Sequence, residues 1–183
     1  MYLNPDTGLL DAARYVCSPN CDPRPAGATI DALVIHAISL PPGQFAGNFV
    51  EDFFCNRLDP QAHDYFAEIQ DLLVSAHFYI RRDGALLQFV PTQQRAWHAG
   101  KSTLAGRDQV NDYSIGIELE GTDDEPFSDA QYDVLAELTK CLIHCYPDIS
   151  AERIVGHSDI APGRKTDPGP LFDWRRYRTA LSS

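Results

Sequence analysis

Two separate segments of this sequence carry side chains of metal-binding types. His157 and Asp167 lie near the two ends of the loop "GHSDIAPGRKTDPGP", and His36 lies within the apolar run "DALVIHAIS". The three prolines of the loop restrict its backbone, as is typical of segments that position binding or catalytic groups. A catalytic zinc takes three histidine or carboxylate ligands and leaves a fourth position for water. Although a lone strand histidine is more often a packed core residue, together the three side chains form a complete ligand set.

One strand face supplies candidate acid-base groups. The segment "YSIGIELEG" alternates, which places Ser114, Gly116, Glu118 and Glu120 on the face opposite its isoleucine and leucine side chains. We expect the small residues to leave room beside a carboxylate for a substrate or a metal-bound water. Spacing alone does not choose between Glu118 and Glu120, because both lie on this face.

Hydrophobic patterns predict the elements that position these groups. Strands are expected over residues 31–39 and 113–121, and residues 77–90 are typical of a hairpin that turns at Asp83 and Gly84. Helical periodicity predicts helices over residues 46–58, 61–73, 128–146 and 173–181. Ser128 and Gln131 have the spacing of a capping box at the start of the third helix. Interspersed helices and strands with an antiparallel hairpin predict an α/β fold, in which a central mixed β-sheet is flanked by helices.

Length and charge limit the classes of function. The 183 residues, 44% of them hydrophobic, predict a single domain, residues 1–183, that buries roughly 70% of its unfolded surface. A formal net charge of −11 disfavours nucleic acid and anionic membrane surfaces as partners. The first residues lack the basic start and apolar run of a secretory signal, and no stretch is long enough to span a bilayer. We therefore expect a cytoplasmic protein with reduced cysteines.

The cysteines offer an alternative metal site. Cys17 with Cys21 and Cys141 with Cys145 could be taken for a four-thiolate zinc centre. The last two lie one helical turn apart in an apolar stretch, where free cysteine packs as a small hydrophobic residue. We therefore favour structural packing for both pairs.

Several motifs together resemble one known family. "LVIHAISLPPGQF", "VSAHFYIRRDG", "RAWHAG", "NDYSIGIELEGTD" and "GHSDIAPGRKTDPGPLFDW" follow one another between about Leu33 and Trp174. In this order they are similar to the AmpD-type anhydro-N-acetylmuramyl-L-alanine amidases. The resemblance implies an N-acetylmuramoyl-L-alanine amidase-like fold and a cytoplasmic zinc enzyme of cell-wall recycling. It further implies that the substrates are small soluble anhydro-muropeptides. We expect the chain to be a monomer.

The resemblance also assigns roles to residues. It places the Zn²⁺ ligands on His36, His157 and Asp167, the acid-base residue on Glu118, and an oxyanion donor on Lys165. Amide hydrolysis needs a strong nucleophile, a stabilised oxyanion and a proton for the departing nitrogen. Zinc lowers the pKa of its water to about 7, a carboxylate moves the proton, and an ammonium group stabilises the oxyanion. Glu120 and a merely exposed Lys165 remain the alternatives.

Substrate contacts are expected around the same cleft. The candidates are Trp97, His98, Ala99, Arg107, Asn111 and His77. Ala37 departs from the asparagine that follows the first ligand histidine in the relatives. The change removes a possible hydrogen bond to the sugar or the peptide, so it bears on substrate specificity. Asp159 is interpreted as a carboxylate that orients the loop, and His63 and His144 as surface or packing residues. Two other functions stay open: a lytic amidase acting on intact peptidoglycan, and a metal-free module that binds peptidoglycan without cutting it.

Overall fold

A six-stranded mixed sheet forms the centre of the molecule. The structure is a computed structural model that describes residues 1–182. Within these residues the strands are β1 (Arg14–Tyr15), β2 (Cys21–Pro23), β3 (Ala32–Ile38), β4 (Phe78–Ile80), β5 (Leu86–Gln88), β6 (Gln94–Ala96), β7 (Thr103–Leu104), β8 (Arg107–Asp108), β9 (Ser114–Glu120) and β10 (Ile154–Gly156). The α-helices are α1 (Phe49–Phe54), α2 (Asp64–Ile69), α3 (Asp129–Cys145), α4 (His157–Ile160) and α5 (Trp174–Leu181).

The strand order of the main sheet is β1-β5-β4-β9-β3-β10. Strands β4, β9, β3 and β10 run parallel to one another, whereas β4 and β5 form the antiparallel hairpin. The predicted mixed sheet is therefore confirmed. Two small antiparallel pairs, β2–β6 and β7–β8, lie outside it. None of the helices within residues 1–182 combines the length and apolarity that crossing a membrane requires.

One face of the sheet packs against α3 and α5. Alternate residues of β3 and β9 supply Leu33, Ile35, Ile115 and Ile117, all fully buried. The helices contribute side chains that include Leu135, Leu138, Leu142 and Tyr177. Because strand residues alternate between faces, His36 and Glu118 must point to the other side of the sheet.

The second face carries two smaller apolar clusters. Ala32 and Val34, which precede His36 on this face, pack with Tyr113 and Ile160. Helices α1 and α2 contribute Phe53, Phe54 and Phe66 to the other cluster, to which β4 adds Tyr79. His36 and Glu118 therefore share this face with two apolar clusters.

Most predicted elements are confirmed, with changes at their ends. Both long strands and α3 lie within the predicted ranges, and the Ser128–Gln131 capping box forms. Helix α1 is shorter than expected because Gly47 and Asn56 have left-handed backbones, with φ of 78° and 56°. Helix α2 starts only after His63, whose Nδ1 accepts a hydrogen bond from the backbone N–H of Tyr65. The short strands β1, β2, β6, β7, β8 and β10 were not predicted, since two or three residues carry too little periodicity.

Candidate metal centre and active site

Three ligand-type side chains converge at the ends of β3 and β10. The Nδ1 atoms of His36 and His157 are 3.0 Å apart, and they lie 3.2 and 3.1 Å from Oδ2 of Asp167. Among residues 1–182 this is the only cluster of three or more histidine, cysteine or acidic side chains arranged to hold a metal ion. No cysteine belongs to it, so the four-thiolate alternative has no geometry in its favour.

The hydrogens of the two imidazoles point away from this meeting point. Nε2 of His157 lies 3.2 Å from the carbonyl oxygen of Ala99, which can only accept, so Nε2 carries the hydrogen and Nδ1 keeps a lone pair. Nε2 of His36 lies 2.9 Å from Nδ1 of His98, so this ring can also direct its hydrogen away from the meeting point. When both rings carry their hydrogen on Nε2, three electron-pair donors face one another, an arrangement that a cation stabilises.

The spacing and charge of the three donors suit zinc. Their separations of 3.0 to 3.2 Å are close to the edge of about 3.3 Å expected for tetrahedral ligands of zinc. Burial lowers the pKa of His36 to about 4, against the opposing effect of Asp167, so its ring is neutral at physiological pH. Burial also opposes ionisation of Asp167, but the two neighbouring imidazoles outweigh it and hold its pKa below the usual range. Neutral histidines and an ionised carboxylate are the forms that bind metal.

The loop after β10 holds two of these ligands together. The backbone N–H of Ser158 donates to the carbonyl of Asp167 at 2.9 Å. Gly156 lets Pro168 approach closely, because a Cβ at this position would lie 2.8 Å from the Cδ of the proline. Oδ2 of Asp159 accepts from the backbone N–H of Gly156 at 2.7 Å, which agrees with its interpretation as a loop-orienting carboxylate. The ligands His157 and Asp167, ten residues apart, are thus positioned by local contacts.

Two glutamates on β9 have different environments. Glu118 stands opposite His36 in the parallel register of β3 and β9, so both side chains point to the same face. Its Oε2 is buried and has no hydrogen-bond partner among residues 1–182. Glu120 instead accepts hydrogen bonds from the backbone N–H groups of Ala46 at 3.0 Å and Arg82 at 2.9 Å. Glu120 therefore anchors two loops, whereas Glu118 is free to act on a ligand.

Burial changes the acidity of Glu118. Loss of solvent, together with the negative charge of Asp167, raises the pKa of its carboxyl group well above the ordinary value, and Lys165 acts in the opposite direction. A buried carboxyl group with a raised pKa in a cleft is typical of general acid-base residues. A cation held by His36, His157 and Asp167 would favour the ionised form, in which Glu118 could accept a proton.

A cleft of about 340 Å³ opens beside the metal cluster. Glu118, His98 and Lys165 line it together with His157 and Asp167. Lys165 is exposed, which leaves its ammonium group accessible to a ligand in the cleft. The structure thus brings all five predicted metal and catalytic residues to one place.

An apolar wall of the same cleft was not predicted as part of the site. It comprises Leu40, Phe53, Phe54, Tyr65, Ile69, Leu72 and Val74. In the sequence these residues belong to ordinary amphipathic segments. The sequence carries no signal for this wall; only the structure shows that Leu72 is 52% exposed although it is apolar.

The six candidate substrate contacts are placed differently from one another. His98 lines the cleft, whereas Nε1 of the Trp97 indole donates to Asp22 and the Arg107 guanidinium pairs with Asp31 and stacks on Tyr113.

The side chains of Asn111 and His77 make hydrogen bonds to backbone groups of the protein. Oδ1 of Asn111 accepts from the backbone N–H groups of His98 and Ala99 at 3.2 and 2.8 Å. His77 is fully buried, and its Nδ1 accepts from the backbone N–H of Gly116 at 3.0 Å. The room expected above Gly116 is filled by the His98 ring, because a Cβ on Gly116 would lie 2.4 Å from Cγ of His98. Direct substrate contact by these residues stays a prediction.

Comparisons with known proteins agree with this geometry. The family model described as N-acetylmuramoyl-L-alanine amidase matches residues 26–170. The 1,6-anhydro-N-acetylmuramyl-L-alanine amidase AmpD of Escherichia coli K12 is 56% identical over 177 residues, which cover 97% of this chain and 96% of the relative. A crystal structure of a selenomethionine AmpD derivative has a TM-score of 0.95 at 53% identity and covers 99% of both chains.

A more distant neighbour was solved with a ligand. It is Escherichia coli AmiD in complex with the substrate anhydro-N-acetylmuramic acid-L-Ala-D-γ-Glu-L-Lys, with a TM-score of 0.62 and 34% identity over 86% of this chain and 60% of that one. The family match spans most of the chain, and AmpD matches nearly all of it in sequence and structure. This chain therefore belongs to the N-acetylmuramoyl-L-alanine amidase family.

Proposed function

We propose that this chain hydrolyses the amide bond between the lactyl group of 1,6-anhydro-N-acetylmuramic acid and the L-alanine of the stem peptide, using zinc. The observation that carries the proposal is the convergence of His36, His157 and Asp167 on one point, beside the unpartnered carboxylate of Glu118. The names of the AmpD relatives support the choice of bond and sugar.

Zinc is the metal that the donor set favours. Two imidazole nitrogens and one carboxylate oxygen leave a fourth position open, as in other catalytic zinc sites. When bound, zinc lowers the pKa of a coordinated water to about 7 and polarises the carbonyl of the amide. His36, His157 and Asp167 hold it from a buried strand and a restrained loop, so little ordering is needed on binding.

Glu118 moves the proton. Its buried carboxylate accepts a hydrogen from the attacking water and passes it to the departing nitrogen of L-alanine, which would otherwise leave as a poor amide anion. The absence of hydrogen-bond donors around Oε2 within residues 1–182 keeps the carboxylate available for this exchange. Glu120 has no such role, because two backbone N–H groups occupy its oxygens.

Lys165 stabilises the oxyanion. It lines the same cleft as His157 and Asp167, and its charge is close enough to influence both Glu118 and His36. An ammonium hydrogen directed at the tetrahedral oxygen stabilises negative charge that develops only during the reaction.

The substrate is a small, soluble anhydro-muropeptide in cytoplasmic peptidoglycan recycling, and the whole chain acts as one monomeric amidase domain. The net charge of −11 supports this choice over intact wall, since the envelope polymers are anionic. The apolar wall of the cleft provides a surface for the uncharged faces of such a ligand. Ala37, which also lines the cleft, offers no side-chain hydrogen bond there.

Metal content tests the site. The purified chain is expected to hold about one zinc per molecule, and chelation is expected to abolish turnover. His36→Ala should lose the metal, while His144→Ala, a change of an exposed histidine on α3, should keep it. Full activity after exhaustive chelation would refute the zinc mechanism, whereas a purified chain with neither zinc nor turnover would favour a module that binds without cutting.

Relative rates test the substrate. A soluble anhydro-muramyl tripeptide, its reducing-sugar counterpart and purified sacculi are compared at equal concentrations of scissile bonds. The anhydro compound is expected to react fastest. Faster release of peptide from sacculi would overturn the recycling assignment and support a lytic amidase instead.

A further inference from the structure

A chain of hydrogen-bonding atoms runs from the metal cluster into the protein. Nε2 of His36 lies 2.9 Å from Nδ1 of His98, and Nε2 of His98 lies 3.2 Å from Oγ of Ser114. Oγ of Ser114 in turn lies 2.6 Å from the carbonyl oxygen of Val110. All three side chains are buried, so solvent does not compete for these contacts.

The partners determine where each hydrogen sits. The carbonyl of Val110 can only accept, so the Ser114 hydroxyl donates to it and has only lone pairs left for His98. Nε2 of His98 must then carry the hydrogen, and its Nδ1 accepts. Burial lowers the pKa of His98 well below its ordinary value, which agrees with a neutral ring. His36 therefore donates from Nε2 and presents an unprotonated Nδ1 to the metal.

The segment that carries His98 also orients the second histidine ligand. The carbonyl oxygen of Ala99 lies 3.2 Å from Nε2 of His157 and accepts from Arg164 at 2.7 Å. Oδ1 of Asn111 binds the backbone N–H groups of residues 98 and 99. One side chain and one adjacent carbonyl thus set the hydrogen positions of both imidazole ligands.

The position of the His98 ring depends on the glycine at position 116, inside β9. A Cβ on Gly116 would lie 2.4 Å from Cγ and 2.6 Å from Nδ1 of His98. Glycine inside a strand weakens it and often marks a close approach by another group. Here the approaching group is the imidazole that contacts His36.

We infer that His98 is a positioning residue for the metal centre: through Ser114 and the Val110 carbonyl it holds His36 in the tautomer whose Nδ1 binds the metal. This inference rests on the proposed zinc site. Hydrogen-bond partners of metal-binding histidines fix ring orientation and tautomer, and losing one weakens metal binding by about 10- to 100-fold. The role differs from the substrate contact expected for this residue.

Zinc affinity is measured by competition with a chromogenic chelator. His98→Leu removes the acceptor and is expected to weaken zinc binding by about 10- to 100-fold. His98→Asn places Oδ1 near the position of Nδ1, so its affinity is expected to stay within a factor of about three of the wild type. Gly116→Ala, which displaces the ring, should resemble His98→Leu, and His144→Asn serves as the control. Unchanged affinity in folded His98→Leu, or equal loss in His98→Leu and His98→Asn, would overturn the inference.

A second measurement does not depend on a folded variant or on zinc. In the metal-free wild-type protein, ¹⁵N–¹H correlation spectra of the imidazoles should show His36 with its hydrogen on Nε2. A hydrogen on Nδ1 of His36 would overturn the inference that His98 fixes this tautomer. Failure of the wild type to bind zinc would instead contradict the proposed function, while this spectrum would still decide the tautomer.

Discussion

Glu118 and Glu120 lie on the same strand face, yet their replacement should have opposite consequences. Glu118→Gln keeps the shape of the side chain and removes its ability to take a proton. Loss of general acid-base catalysis costs about 10²- to 10⁴-fold in turnover, which corresponds to about 2.7 to 5.4 kcal/mol of transition-state stabilisation. Because Oε2 has no hydrogen-bond partner within residues 1–182, the free energy of unfolding of the metal-free variant should not fall.

Glu120→Gln should reverse this pattern. The carboxylate accepts from Ala46 and Arg82 with different oxygens, and an amide has only one oxygen with which to accept. One backbone N–H then faces an NH₂ group, which costs about 1 to 3 kcal/mol of stability. Turnover by the folded fraction should stay near the wild-type value.

The assay combines three measurements on each variant. Zinc content, turnover of an anhydro-muropeptide at saturation, and urea unfolding of the metal-free protein separate catalysis from folding. The assignment is refuted if Glu120→Gln with bound zinc and intact fold loses turnover while Glu118→Gln does not. The acid-base residue would then lie two positions farther along β9.

Two other changes test separate parts of the site. Lys165→Ala is expected to lower turnover by about 10²-fold with zinc retained. Lys140→Ala, which removes a partly exposed lysine of α3 paired with Glu137, should not lower it; equal rates for both variants would remove Lys165 from catalysis. Burial and the nearby Arg24 lower the pKa of His77 to about 3, so only the unfolded chain takes up a proton as pH falls below about 6.5. The free energy of unfolding should therefore fall with decreasing pH, by up to about 1.4 kcal/mol per pH unit from this residue. In His77→Asn the free energy of unfolding should change less steeply with pH between about pH 6 and pH 4, a range between the two pKa values. Equal slopes in the variant and the wild type would contradict a neutral buried His77.

Local patterns in the sequence were sufficient for the main elements and for the two candidate ligands that share one loop. The alternation in β9, the continuous apolar run of β3 and the capping box of α3 depend on neighbouring residues, so they are visible without the fold. His157 and Asp167 are brought together by their own loop. His36 joins them because β10, which leads into that loop, pairs in parallel with β3.

Contacts between distant segments decided the rest. Glu118 and Glu120 are equivalent in a pattern of period two, and they differ only because segments 74 and 38 residues away supply N–H donors to Glu120. Distant segments also determine the surroundings of His98 and Arg107. The ring of His98 occupies the space above Gly116, and Arg107 pairs with Asp31, which is 76 residues away along the chain. Residue type and spacing indicate which groups have the chemistry for a role. Only the tertiary structure shows which of their atoms already have a partner, because those partners come from parts of the chain that no local pattern connects.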